Sequence, residues 1–220
     1  SSLVPEYHLS PVIMQLLERE LGKYCAANPL ASLELIDALW KEPYKEPRLL
    51  ASMLLGRIPS THAAQVIQRL LQWCDATPEY SLLEAIVSNA SATLRARAPE
   101  TWFEIVGGWL DSSKLTERSL GCTCLIPLIQ DRSFENLPQI FDRVIPLLKQ
   151  GDPGLASALQ RVIEALAHRS PNETVYVLKQ VVAASDNAAL FRLLRRCLPA
   201  FPEESRASLR VVLGGSRAIQ

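Results

Sequence analysis

Proline recurs along this 220-residue chain with a regularity that few folds can use. Pro59, Pro99, Pro138, Pro171 and Pro202 each mark or immediately precede the start of a helical stretch, at intervals of 31 to 40 residues. Between them apolar side chains fall three and four apart, and no stretch alternates convincingly as a strand would. The first helix opens at Ser10-Pro11, a capping hydroxyl followed by proline at the first helical position. Its apolar set, Ile13, Leu16, Leu17 and Leu21, is the expected core face. Further helices are expected at 29–42, 45–58, 60–75, 78–97, 99–111, 114–131, 137–150, 153–169, 171–184, 186–200 and 202–214, about twelve in all. Helix pairs repeating at this interval predict an all-α fold, a curved α-solenoid of HEAT or armadillo type. About six hairpins would form one domain over residues 1–220. An amphipathic hairpin cannot bury its apolar face alone, so neighbours must stack. Pro127 and Pro146 fall inside helical patterns, where proline removes a hydrogen bond and bends the helix. Such bends suit an array and equally an irregular bundle; the spacing favours the array.

Composition narrows the class. Charged residues make up 21% of the chain, 23 basic against 23 acidic, and 48% is apolar. That is enough apolar material for a large core, and it argues against an acidic disordered tail or a globally basic arm. Charge or proline interrupts every apolar run, so no membrane span is expected. The opening SSLVPEYHLSP has neither the basic start nor the apolar stretch of a signal peptide. Five cysteines scattered through helical sequence fit a reducing compartment. A soluble, cytoplasmic protein is expected, nucleoid-associated if it binds DNA.

Zero net charge hides a segregation. With the helices numbered in order, the odd ones hold 14 basic and 9 acidic residues, the even ones 7 basic and 11 acidic. Stacked hairpins put odd and even helices on opposite walls, so the odd wall is positive. Clustered Lys and Arg on one wall suit a polyanion, because binding releases its counterions. Lys45, Arg48, Arg57, Lys114, Arg118, Arg161, Arg192, Arg195 and Arg196 are the wall's candidate contacts. A charge imbalance of this size is also what ordinary surface helices carry by chance. Helix 99–111, with Trp102 and Trp109 and no basic residue, reads as core and outer surface.

Most enzyme chemistry finds no support. Cys122 and Cys124 are two apart on a helix and His8, His62 and His168 are far apart, so no metal is expected; the thiols read as a buried structural pair. No histidine neighbours a nucleophile pattern. Gly107-Gly108 and Gly214-Gly215 lie in or at the end of helices, so no loop cradles phosphate and no cofactor is expected.

One constellation remains. On helix 78–97 Leu83, Ile86, Ala90 and Leu94 make a core face, and Tyr80, Glu84, Ser88 and Ser91 share a polar stripe beside it. An aromatic ring one turn before a carboxylate, followed by small hydroxyls, leaves an open surface with a stacking platform and a negative charge. On the next odd helix Lys114 and Arg118 lie one turn apart, and Arg118 is placed to reach a phosphate. The same residues also read as an exposed face with an Arg–Glu pair between repeats.

The stretch LWKEPYKEPRLLASMLLGRI at 39–58, continued through SLLEAIVSNASATLRARAPE at 81–100 and GWLDSSKLTERSLG at 108–121, resembles the AlkD-like DNA alkylation repair family. The resemblance covers roughly residues 30–170 and implies a HEAT-like fold acting on duplex DNA. Members with glycosylase activity remove cationic alkylpurines without flipping the base. They use a tryptophan, an aspartate one turn later, an arginine on the following odd helix and a further tryptophan downstream. The resemblance places Tyr80 at the tryptophan position, Glu84 at the aspartate position and Arg118 at the arginine position. Helix 153–169 contains no tryptophan to match the last. These three would be the catalytic residues of a DNA-3-methyladenine or 7-methylguanine glycosylase. Lys45, Arg48, Lys114, Arg161, Arg192, Arg195 and Arg196 would hold the duplex. The alternatives are a solenoid of the same ancestry that binds branched or damaged DNA without catalysis, and a scaffold for a protein partner.

Overall fold

The computed structural model describes residues 4–77 and 79–215; Pro78, the first residue of the expected helix 78–97, lies outside them. Among the described residues the chain is all-α, with no strand. The helices are α1 (Pro11–Ala27), α2 (Pro29–Lys41), α3 (Lys45–Leu55), α4 (Ala63–Asp75), α5 (Tyr80–Ala90), α6 (Ala92–Arg97) and α7 (Pro99–Leu110). They continue as α8 (Leu115–Gln130), α9 (Leu137–Gln150), α10 (Ala156–Arg169), α11 (Pro171–Ala183), α12 (Ala188–Cys197) and α13 (Glu203–Gly215). Single 3-10 turns at Ser60–His62 and Pro153–Leu155 lead into α4 and α10, and one at Leu198–Ala200 follows α12. The Ser10 hydroxyl accepts from the Ile13 N–H, so the expected cap forms.

Two compact units divide the chain, one up to Ile105 and one from Val106. In the first, α3 packs on α1, α2 and α5, and α4 on α5. In the second, α8 packs on α9 and α10, α10 on α11 and α12, and α11 on α9 and α13. Contacts to the next helix and to the next but one are what stacked helical hairpins produce. They group α1, α3 and α5 on one side of the first unit, and α8, α10 and α12 on one side of the second, which are the odd-numbered helices of the expected array. Ile36, Leu54, Leu55, Ile58, Leu70, Leu82 and Ile86 fill the first core; Leu125, Ile129, Ile140 and Phe201 are equally enclosed in the second. Each such side chain stabilises the fold by about 1.5–3 kcal/mol relative to exposure. Trp102 and Trp109 are buried, in line with their core reading.

Two expectations change. The expected helix 78–97 is two, α5 and α6: Ser91 between them leaves the helical region at φ −87° and ψ 1°, and its buried hydroxyl donates to the Val87 carbonyl (2.6 Å). Arg95 then reaches the Ser88 carbonyl (2.9 Å) and the Ser91 hydroxyl, while Thr93 donates to the Gly56 carbonyl. The expected core face of α1 is the second change. Ile13, Leu16 and Leu17 are 36% exposed or more, and the buried positions are Met14, Gly22 and Cys25. Helix α1 packs sideways on α2 and α3, and at Gly22 the stem of Arg57 comes within 3.1 Å of where a Cβ would stand. That contact turns the Met14–Gly22–Cys25 face inward. Cys122 and Cys124 are both buried, as expected, although they point to different sides, since α8 is enclosed without a break from Leu120 to Ile129. Helix α8 stays continuous through Pro127, its packing offsetting the cost of about 3 kcal/mol that a proline carries inside a helix.

Candidate nucleic-acid interface

Helix α5 is positioned by its grip on α3. Gly56 lies against the Asn89 carbonyl, and the Asn89 amide donates to the Ser52 hydroxyl (3.0 Å). Leu82, Leu83, Ile86, Val87 and Ala90 are thereby buried, and Tyr80, Glu84 and Ser88 are left half-exposed along one stripe. Ser91 does not join that stripe: it is buried, its hydroxyl bonded to the Val87 carbonyl. Tyr80 is the first residue of α5 and Glu84 stands one turn further on, so the ring and the carboxylate share the start of one helix. Beside them the odd side of the first unit holds two clefts. One, about 540 Å³, runs from Leu9, Met14 and Leu49 to Ala85 and Asn89. The other, about 470 Å³, lies between α1, α3 and α6, with Glu18, Arg57, Ser88 and Arg97 on its walls.

Arg118 stands in the first turn of α8, in the second unit. Its guanidinium donates from Nη2 to Asp152 Oδ2 at 2.9 Å, and the pair is mostly buried, 18% and 29% exposed. Arg118 Nε is enclosed without a hydrogen-bond partner. A recess of about 260 Å³ beside it is lined by Ser112, Asp142 and Arg143. Arg143 in turn pairs with Asp111 at 3.0 Å.

Of the other predicted contacts, Lys45, Arg48, Arg161, Arg192, Arg195 and Arg196 fall on the expected helices, whereas Arg57 lies in the turn after α3 and Lys114 just before α8; several have internal partners. Lys45 pairs with Glu6 at 3.0 Å, and that hydrogen bond raises its pKa. Arg57 pairs with Glu18, and Lys114 with Glu117 at 2.8 Å; both cations are likewise held above their ordinary values by these carboxylates. Arg48 stacks over the Trp40 ring, 5.3 Å from its centroid, and donates to the Glu42 carbonyl. Arg195 is exposed yet donates to the Leu213 carbonyl (3.1 Å), and Arg161 is half-buried on α10. Arg192 and Arg196 are exposed on α12. No three His, Cys, Asp or Glu side chains converge among the described residues.

Sequence reasoning missed two kinds of residue. Arg97 is exposed at the end of α6, on the cleft wall that exists only because the helix breaks at Ser91. The carboxylates Glu6, Glu18 and Asp152 were not recognised as occupants of the wall cations. A signal existed: the pairs Glu6–Lys45, Glu18–Arg57 and Arg118–Asp152 lie 39, 39 and 34 residues apart, one structural repeat. Residues one repeat apart face each other in a stack, so an acid and a base at that separation mark a pair.

Among the described residues, no helix is long and apolar enough to cross a membrane. No curated protein and no solved structure matches the chain. The family model described as DNA alkylation repair enzyme matches residues 14–188, a span that takes in α5 with Tyr80 and Glu84, Arg118 and its partner Asp152. With its all-α stack of helical hairpins, the chain belongs to the DNA alkylation repair enzyme family.

Proposed function

We propose that this protein is a DNA N-glycosylase that holds alkylated duplex DNA against α1, α3, α5, α8, α10 and α12 and releases cationic 3- or 7-alkylpurines without base flipping. The observation that carries the reading is the pair Tyr80 and Glu84, one turn apart and half-exposed at the start of α5, inside the span matched by the family model. A cationic alkylpurine is already a good leaving group. As the bond from C1′ to the base breaks, its electron pair neutralises the base and positive charge grows on the sugar. A carboxylate beside that sugar stabilises the charge where it develops. Glu84 supplies it and orients the water that attacks C1′, whose proton passes to solvent. The Tyr80 ring offers a π-face to the cationic base or sugar, worth about 0.5–1 kcal/mol at an exposed site. Arg118 clamps a backbone phosphate by a charge-assisted hydrogen bond. Lys45, Arg48, Lys114, Arg161, Arg192, Arg195 and Arg196, with Arg97 added, hold the duplex without reading its bases.

A second reading, a DNA binder that has lost catalysis, is favoured by one observation: helix α10 carries no tryptophan where catalytic relatives place theirs. Base release from methylated duplex, measured beside salt-dependent binding to the same duplex, separates the two. Release establishes the glycosylase. Binding that weakens steeply with salt, without release, leaves the second reading. Neither release nor binding leaves a protein scaffold.

A further inference from the structure

We infer that Asp152 is a built-in stand-in for DNA phosphate: it occupies Arg118 in the free protein and gives way when the duplex binds. This rests on the proposed phosphate contact of Arg118. The carboxylate is held on both sides. Oδ2 accepts from Arg118 Nη2 at 2.9 Å, and Oδ1 accepts from the Gly154 N–H at 2.8 Å, capping the turn that leads into α10. The turn lies against α8: a Cβ on Gly154 would stand 2.6 Å from Leu115 Cδ2, the end of a flexible and exposed side chain, so Asp152 sits beside the first turns of α8.

The arrangement is half of a phosphate site. An arginine can present two parallel donors to a carboxylate or phosphate, yet Asp152 takes a bond from Nη2 alone, and Nε is enclosed with no partner. The two non-bridging oxygens of a backbone phosphate match such a fork better than the single carboxylate oxygen that Asp152 presents to it. The residue before Pro153 follows Gly151, whose φ of +64° ends α9, so Asp152 sits on a short connection and not within a helix. While it occupies Arg118, it neutralises one charge of the wall and weakens attraction to undamaged DNA. The consequence is discrimination: only a duplex seated well enough to deliver a phosphate at Arg118 displaces the carboxylate. The Glu6–Lys45 and Glu18–Arg57 pairs repeat the pattern one structural repeat at a time on the first unit.

Asp152→Asn tests the inference. Asparagine caps a helical turn as well as aspartate does, so the fold is kept while the charge is removed. Duplex binding is measured by anisotropy over a salt series for wild type, D152N, R118A and the double variant, with melting temperatures as a check on folding. D152N is expected to bind about three- to tenfold tighter at low salt, and its log–log salt slope is expected to steepen by about 0.9, the value of one further phosphate contact. In the R118A background the gain should vanish, because Asp152 acts through that guanidinium. If D152N misfolds, Asp152→Ser, also a capping residue and neutral, takes its place. Unchanged or weaker binding by the neutral variant overturns the inference, as does a gain that survives R118A. Absence of salt-sensitive binding by the wild type overturns the DNA-binding reading itself, and this inference with it.

Discussion

A single methyl at Gly56 should loosen the contact that carries Tyr80 and Glu84. Gly56 follows α3 with an ordinary right-handed backbone, φ −66°, so alanine meets no conformational obstacle. It would even gain up to about 1 kcal/mol of helix propensity. Against that gain stands a clash. The new Cβ would overlap the Asn89 carbonyl oxygen and stand 3.0 Å from its carbon, and both atoms are backbone. Helix α5 must therefore move off α3, and overpacking of this kind costs about 1–3 kcal/mol. Because backbone has to yield, the upper figure applies and the net loss is about 2 kcal/mol. For a chain of this size that lowers the melting temperature by about 4–8 °C. Gly108→Ala is the matched control. Gly108 is exposed within α7 with nothing within 4 Å of a Cβ, so only the propensity gain remains and melting should rise by about 2–4 °C. Calorimetry of both variants beside wild type reads the two signs. A Gly56→Ala protein that melts at or above wild type refutes the close packing of α5 on α3. If folding survives, a shift of α5 by about 1 Å should cut base release roughly a hundredfold.

Other outcomes follow from the burial of charge and thiol. Burial pushes the Glu46 carboxyl up, but the N–H groups of Tyr7, Glu46 itself, Leu9 and His8 outweigh it and hold the pKa below the ordinary 4.5. The unfolded chain therefore takes up this proton first. The stabilisation is complete above 4.5 and is lost as pH falls through the lowered value, so the gap between wild type and Glu46→Gln should close in acid. Denaturant melts across that range check it, and a gap that widens in acid contradicts the sign. Burial also pushes the Cys74, Cys122 and Cys197 thiols up to about 12. Ellman's reagent at pH about 8 should leave Cys122 and Cys197, which are fully enclosed, unlabelled in the folded protein and label them on unfolding, because only the thiolate reacts. Prompt labelling of Cys122 in the native state would contradict its burial.

The helical periods and their starts were legible because they are local. Ser10-Pro11 caps α1 as its residues demand, and proline at the first or second position of α2, α9 and α11 serves the same purpose. The grouping of odd helices followed from the repeat length alone. The break at Ser91 was not legible, since it is completed by Thr93 reaching Gly56, 37 residues away. Nor was the buried face of α1, which periodicity assigned to Ile13, Leu16 and Leu17 and which the contact of Gly22 with Arg57 assigns to Met14 and Cys25. At the candidate site the ring and carboxylate of α5 could be read from their spacing of four. The occupancy of Lys45, Arg57 and Arg118 was legible only through the repeat length and not from local spacing, because each partner sits one repeat distant and becomes a neighbour only once the helices stack.

Single-turnover release of 7-methylguanine from one duplex, by wild type and by Glu84→Gln at saturating protein, tests the central claim most directly. The account predicts that the wild type releases base, that the variant is slower by about a hundredfold or more, and that its affinity for the duplex is retained or increased, since a negative charge facing DNA has been removed. Equal rates of release by the two proteins would contradict the role assigned to Glu84.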